Sequence, residues 1–163
     1  RTRLLPEKEK LMKMQSQLLL ISLALLAGAF VPFQTGSNTA LTRSLGSGFY
    51  ASLIVFMVAS LAMIAVIIFQ KQNLPSVAQM QTVPWYAWVG GGILGGAYIY
   101  ILIYLAPKLG IANVTGFVVA GQLITAILFD HFGFMGFAVH PINWQRLAGV
   151  LLLIGGLYLI KKF

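Results

Sequence analysis

Long apolar blocks alternate with short polar connections along almost the whole chain. Five blocks are long enough to cross a bilayer, because a membrane-spanning helix needs about 17 to 25 mostly apolar residues. The expected spans are residues 17–41, 48–69, 84–106, 111–130 and 144–160. Proline and glycine mark the connections, as at Pro75 and Gly133. The pattern predicts an all-α polytopic membrane protein in which a basic segment, residues 1–16, precedes five transmembrane helices.

The composition favours the same class of protein. Of the 163 residues, 59% are hydrophobic and 9% are charged, and the mean hydropathy is +0.88. Soluble domains carry about 25% charged residues. The net charge of +8 comes from the basic first segment and from single cations beside the apolar blocks, where helix ends meet lipid headgroups. We therefore expect membrane lipids as partners and no binding of nucleic acid.

Few side chains in this sequence are suited to catalysis. The chain has three acidic residues, two histidines and no cysteine, so disulfides and thiol ligands are excluded and no convincing metal cluster can form. A hydrolase elbow and a phosphate-binding loop are both missing from the sequence. We expect neither an enzyme nor a metal or cofactor site.

The beginning of the chain allows two interpretations. Lys13 and the apolar run that follows have the composition of a signal peptide, whose cleavage would leave four spans. The polar continuation at residues 34–43 instead favours one long functional helix. The first residues are then cytoplasmic or not native, with Met12 or Met14 as the native start.

Basic residues are divided between the two membrane faces. With five spans, the first face carries Arg1, Arg3, Lys8, Lys10, Lys13, Lys71 and Arg146, and the second carries Arg43, Lys108, Lys161 and Lys162. The positive-inside rule then makes the amino terminus cytoplasmic, but a start at Met12 or Met14 removes or reverses the bias. A chain without bias can insert both ways round. Two opposite copies would then resemble the inverted repeats of many transporters.

Polar side chains in the first span predict a lined cavity. Pro32 removes a backbone hydrogen bond, and Gln34 and Asn38 follow on one helix face because they are four residues apart. We interpret this as a kinked helix beside a polar cavity. The alternative is a solvated helix end near Arg43.

Gln122 lies halfway along the fourth span, where transporter sites are commonly found. Thr115 and Phe129 share its helix face at seven-residue spacing. Hydrogen bonding between helices would explain the amide equally well. Tyr98 and Tyr100 of the third span are further candidates for the cavity wall, since tyrosine offers an aromatic face and a hydroxyl group.

Asp130 and His131 end the fourth span at the membrane edge. Together they could couple transport to protons, because histidine titrates near neutral pH. The simpler interpretation is an interfacial ion pair between Asp130 and Arg146 across a short loop.

Small residues at regular spacing predict close helix contacts. The third span has two overlapping pairs and the fifth has one pair a heptad apart: Gly91 with Gly95, Gly92 with Gly96, and Gly149 with Gly156. The fifth-span pair suits dimerisation, and contacts within one chain would use it equally well.

The chain resembles the YdcZ-like branch of the drug/metabolite transporter superfamily. The resemblance covers about residues 17–161 and rests on QTGSNTALTRSLGSGFYASLIVF (34–56), VPWYAWVGGGILGGAYIYILIYLAPKLG (83–110), VVAGQLITAILFDHFG (118–133) and RLAGVLLLIGGLYLI (146–160). It implies an inner-membrane exporter. Members occur as five-helix proteins, as oppositely oriented pairs and as fused ten-helix chains, so the five-helix form implies a dimer.

The last span also resembles the dimerising helix of the small multidrug resistance proteins. Those proteins carry a glutamate deep in the first helix, where this chain has Ala27, Gly28, Phe30 and Gln34. An analogous exchange of protons for cations is therefore in doubt.

The sequence thus predicts a transporter of small molecules that works by alternating access as a dimer of five-helix halves. Its partner is a second copy, antiparallel or parallel, or an oppositely oriented homologue. The scarcity of buried acid favours neutral or amphipathic cargo over strongly cationic cargo. A non-transporting scaffold subunit and a lipid flippase are the alternatives.

Overall fold

The structure, a computed structural model, describes residues 7–163 except for the side chain of Lys8. Its regular elements in that range are all helical. They are α1 (Glu7–Leu45), α2 (Gly48–Phe69), α3 (Val77–Gln81), α4 (Trp85–Leu109), α5 (Ile111–Phe132), a 3₁₀ turn (Phe134–Gly136) and α6 (Trp144–Lys162). All of these except α3 and the 3₁₀ turn are long and apolar enough to cross a membrane. The prediction of an all-α protein with five membrane-length helices is therefore confirmed.

Residue contacts divide the chain into two parts, one that ends at Gln34 and one that comprises Thr35–Phe163. The first part belongs to α1, which begins ahead of the expected span. Glu7 and Glu9 lie in its first turn, where the helix dipole favours acids. Glu9 also pairs with Lys13 at 3.3 Å, at the i,i+4 spacing that supports a helix. The helix passes through Pro32 without ending.

In the second part, α4 runs antiparallel to α2, since Gly48 lies beside Tyr100 and Gly95 lies beside Phe56. A single residue, Gly110, joins α4 to α5. Gly110 has φ of +81°, which side chains rarely allow, so a glycine suits this tight reversal. Helix α4 packs against α2 and α5, and α5 packs against α6.

Two contacts define how α5 and α6 meet. Near the start of α5, the side chain of Leu157 occupies the space into which a Cβ on Gly116 would project. At the other end, Arg146 lies 3.2 Å from Asp130. These pairs show the antiparallel arrangement directly, because the residue numbers rise on one helix as they fall on the other.

The buried core lies mostly where α4 ends and α5 begins. Leu102, Ile103 and Ala106 of α4 are buried together with Val114 of α5 and Ala51 of α2. We call this end of the second part the basic end, since Arg43, Lys108, Lys161 and Lys162 lie in the last turns of α1, α4 and α6 there.

Candidate functional site

Polar side chains of α1 are buried at the basic end. Thr35, Asn38 and Thr39 are 3%, 7% and 7% exposed, and Ser52 of α2 is also buried. Burying a polar group without a hydrogen bond costs about 2–7 kcal/mol against an apolar reference. The partners of these groups therefore indicate what the region can do.

Two of the α1 hydroxyl groups bond to the helix itself. Thr39 donates to the carbonyl oxygen of Thr35 at 2.8 Å, and Thr42 donates to that of Asn38 at 2.9 Å. This i−4 pattern is how threonine satisfies its hydroxyl in an apolar setting. The Ser52 hydroxyl is buried and has no partner among the described residues, and the side-chain amide of Asn38 bonds to none of them either.

Tyr100 of α4 lies against the first turn of α2. Its ring stacks on Phe49 with centroids 4.4 Å apart and planes inclined by 15°. Gly48 permits this approach, because a Cβ there would lie only 3.3 Å from Cε2 of Tyr100. A side chain at position 48 would push the ring away.

A cavity of about 240 Å³ lies beside Tyr100, between α1, α2 and α4. We call it the tyrosine cavity, and its lining is Thr42, Gly48, Tyr100, Ile103, Tyr104, Pro107 and Lys108. The ammonium nitrogen of Lys108 lies 3.6 Å from the centroid of the Tyr104 ring, within the range of a cation–π contact. The cavity thus combines aromatic and aliphatic walls with one cation.

A second cavity, of about 230 Å³, lies between α1, α4 and α5. We call it the arginine cavity, and its lining is Gly36, Thr39, Ala40, Arg43, Ala106, Pro107 and Ile111. Pro107 lines both cavities, so they are neighbours at the basic end.

The predicted cavity residues lie at different places. Asn38 is buried and Tyr100 lines the tyrosine cavity, both near the basic end. Tyr98, two residues before Tyr100 in the same helix, is half-buried. Gln34 is exposed and is the last residue of the first part. Their roles in transport stay predictions.

Gln122 lies at the middle of α5 and its residue is exposed. Its side-chain amide makes no hydrogen bond with any group that the structure describes. Within a bilayer, an exposed position on α5 faces hydrocarbon unless water, another part of the chain or another protein covers it. An amide at that depth needs a hydrogen-bond partner, which hydrocarbon cannot supply.

Asp130 and Arg146 come together as an ion pair of 3.2 Å in which both side chains are about one-third exposed, at 37% and 31%. Arg146 also donates to the carbonyl oxygen of His140 at 3.3 Å. Nδ1 of His131 accepts the backbone N–H of Ile142 at 3.2 Å. Asp130 and Arg146 therefore tie α5 to α6, and His131 ties α5 to the connection between them. In residues 7–163 no group of three metal-ligating side chains occurs.

The predicted small-residue contacts divide into two groups. A Cβ on Gly95 would touch Phe56 of α2 at 3.5 Å, so this glycine allows α2 and α4 to approach. The other predicted positions face open space in the described chain: Gly91, Gly92, Gly96, Gly149 and Gly156. Gly116, which we did not single out from the sequence, makes the tightest contact.

Sequence reasoning also missed the cavities at the basic end. Lys108 entered only as a cation that bears on membrane orientation, Arg43 also as the mark of a solvated helix end, and Thr42 was not considered. A signal was available, since each cation lies in the last turn of its helix, Arg43 directly after Thr42 and Lys108 four residues after Tyr104. What the sequence did not show is that α1 and α4 end side by side.

Comparison with known proteins gives one match. A family model with the description "Putative inner membrane exporter, YdcZ" matches residues 19–159. This range contains α2, α4 and α5 in full and most of α1 and α6, so it overlaps all five membrane-length helices. No curated protein and no solved structure matches the chain.

Proposed function

The chain belongs to the YdcZ family of inner membrane exporters, and from this premise we propose that it exports a small molecule by alternating access as a dimer of five-helix halves. Membership of the family, together with five apolar helices, makes it a multi-pass transport protein of the inner membrane. The transport mechanism and the pairing are our proposals.

Gln122 carries this proposal. A single copy leaves its amide exposed at mid-membrane without a partner in the described chain. An amide in hydrocarbon without a hydrogen bond costs several kcal/mol. A second copy removes this cost in either of two ways: the two amides bond to each other, or both line a water-filled route between the halves. The second arrangement supplies the midplane cavity that alternating access requires.

An antiparallel dimer suits the position of this residue. A twofold axis in the membrane plane exchanges the two membrane faces, so only residues at the midplane meet their own counterparts at the same depth. Gln122 is such a residue, because α5 has 22 residues and Gln122 stands at its centre. Without residues 1–11, three basic residues remain on one face and four on the other, which is consistent with insertion in both orientations.

The cargo follows from the chemistry of the lining. The described part of the chain contains the acids Glu7, Glu9 and Asp130, and Asp130 is paired with Arg146. Within Thr35–Phe163 the one acid is therefore already engaged in an ion pair and is not free to attract a cation. We therefore assign neutral or amphipathic cargo, and we assign Asp130, His131 and Arg146 to fastening the helix ends.

Disulfide cross-linking tests the dimer. The chain has no cysteine of its own, so each introduced cysteine is unique. We expect Gln122→Cys to form a disulfide between two copies in native membranes. Val58→Cys is the matched control, since Val58 is 60% exposed near the middle of α2 but lies on a different helix. Absence of a Gln122→Cys cross-link, or equal cross-linking of the control, would refute a dimer built on this face.

A second pair of variants distinguishes the two arrangements. Thr115 and Phe129 lie seven residues to either side of Gln122 on the same helix face. In an antiparallel dimer, Thr115→Cys of one copy meets Phe129→Cys of the other, whereas in a parallel dimer each meets its own counterpart. Copies with different affinity tags allow both products to be counted. If disulfides between two Thr115→Cys copies outnumber those between Thr115→Cys and Phe129→Cys copies, the antiparallel arrangement is refuted.

A further inference from the structure

Arg43 and Lys108 are cations without an acidic partner. The ion pairs of the described chain are Glu9 with Lys13 and Asp130 with Arg146. Asp130 lies at the opposite end of α5 from the basic end. Glu7 and Glu9 precede Arg43 by more than thirty positions in the sequence. The basic end thus carries uncompensated positive charge.

These two cations border neighbouring cavities. Lys108 lines the tyrosine cavity and Arg43 lines the arginine cavity, and Pro107 lines both. Ile111, the first residue of α5, also lines the arginine cavity, and no side chain caps this helix start. The free N–H groups of a helix start carry partial positive charge. Two cationic side chains and one helix start therefore border two adjoining cavities at the basic end.

We propose that the basic end binds the phosphate group of an anionic amphiphile, with Arg43 and Lys108 as its principal contacts. Basic pockets between transmembrane helices bind anionic head groups in this way. The remaining lining of both cavities is aliphatic or aromatic and suits glycerol and acyl carbons. This inference does not depend on transport or on the dimer.

The size of the cavities decides how much of the ligand they hold. Cavities that enclose a drug-sized ligand measure about 300–1,000 Å³, and these measure about 240 and 230 Å³. Each holds a head group but not a whole amphiphile. Because Arg43 and Lys108 lie in the last turns of α1 and α4, the phosphate lies at the membrane edge while the chains remain in the bilayer.

Native mass spectrometry of the purified full chain tests the site with phosphatidylglycerol and phosphatidylcholine as probes. We expect tighter binding of phosphatidylglycerol, and a loss of about five-fold in affinity for each cation removed. The test variant is the double substitution Arg43→Gln with Lys108→Gln. The matched control is Lys161→Gln with Lys162→Gln, which removes the same charge from the same end but from residues that line neither cavity.

A charge-conserving variant and a competition with inorganic phosphate complete the test. The charge-conserving double variant Arg43→Lys with Lys108→Arg should keep most of the affinity, and a loss as large as that of the test variant would show that charge at these positions does not carry the binding, which overturns the proposal. Equal losses in the test and control pairs, or no preference for phosphatidylglycerol, would also overturn it. Competition with inorganic phosphate identifies the source: displacement of the lipid at millimolar phosphate supports a soluble phosphate ligand at this site, and no displacement supports the lipid.

Discussion

Gly116 controls the distance between α5 and α6. The side chain of Leu157, which is 6% exposed, fills the space that any side chain at position 116 would need. In membranes, small residues let helix backbones approach closely, and dispersion contacts then hold the helices together. The contact therefore depends on the absence of a side chain at one position and the presence of a buried leucine at the other.

Gly116→Val should destabilise the protein by about 1–3 kcal/mol, the usual cost of overfilling a packed interface. Gly121→Val is the matched control, since a Cβ on Gly121 meets nothing within 4 Å in the described chain. The measurement is unfolding in detergent, followed by circular dichroism. Leu157→Ala combined with Gly116→Val should recover part of the loss. Equal effects of the two glycine substitutions would show that the contact does not limit stability.

At the scale of single residues, the polar positions differ in how they are satisfied. Threonines of α1 bond to their own helix and need nothing else. Asn113 of α5 likewise donates its side-chain amide to the carbonyl oxygen of Leu109 at 2.9 Å, whereas the amide of Gln122 bonds to no group in the described chain. The threonines are therefore satisfied within their own helix, and Gln122 is not satisfied by any group in the described chain.

Helices α5 and α6 are joined by a connection that has little regular structure. Gly133 ends α5 with φ of +64°, and Asn143 caps the start of α6 by accepting the backbone N–H of Arg146 at 2.8 Å. Between them, His140 donates its backbone N–H to the carbonyl oxygen of Asp130 at 2.8 Å. Arg146 completes this junction through its contacts with Asp130 and His140.

Arg146→Gln should destabilise the protein more than Asp130→Asn, because the arginine has two acceptors and the acid has one cation. We expect about 0.5–1 kcal/mol for the acid and somewhat more for the arginine, since both side chains are partly exposed and screened. The exchanged pair, Asp130→Arg with Arg146→Asp, should recover some of the loss. Unfolding in detergent at low and high salt measures these effects.

Lys162→Gln serves as the control for that series, because Lys162 lies on the same helix and has no acidic partner among the described residues. It should change stability little. If the exchanged pair is as unstable as the sum of the single changes, Asp130 and Arg146 do not stabilise the junction as an ion pair.

At the scale of the whole molecule, the distribution of cations is the feature that bears on function. With five spans, seven basic residues lie on the amino-terminal face and four on the other, and without residues 1–11 the numbers are three and four, so that neither face is then strongly preferred as the cytoplasmic one. An exporter made of two five-helix halves in opposite orientations requires this balance. The same balance places one basic end at each membrane face in an antiparallel dimer.

The chain should insert in both orientations. We expect activity from a carboxy-terminal reporter that works only in the cytoplasm and also from one that works only outside. Both fusions should be made with and without residues 1–11, which hold four of the basic residues, Arg1, Arg3, Lys8 and Lys10. Adding two positive charges beside Lys71, by Gln70→Lys with Gln72→Lys, should then shift the population towards one orientation. Activity from one reporter alone in the unmodified chain would exclude dual insertion.

Much of the architecture could be predicted from the sequence because a bilayer selects helices by length and hydropathy. The expected span 48–69 has the same limits as α2. The α1 helix begins earlier than its expected span, because Glu7, Glu9 and Lys13 favour a helix although they are polar. Hydropathy reports where a helix meets hydrocarbon, not where the helix itself begins.

Candidate residues were harder to predict than helices. The pairing of Asp130 with Arg146 was foreseen as one alternative, since a short loop brings their helix ends together. Tyr100 was named without its partner Phe49 or its cavity. The contact between Gly116 and Leu157 was not foreseen, because both positions have many equivalents among the small and aliphatic residues of the chain.

The sequence by itself determined that this protein has five helices long and apolar enough to cross a membrane and that it belongs to an exporter family, because apolar run length and local motifs are properties of consecutive residues. Only the tertiary structure decided that Arg43 and Lys108 border adjoining cavities, that Leu157 fills the space beside Gly116, and that Gln122 lacks a partner within the described chain. These facts depend on which helix faces meet. The rotation of each helix about its axis is set by side-chain packing across the chain, and an almost uniformly apolar sequence encodes that rotation only weakly.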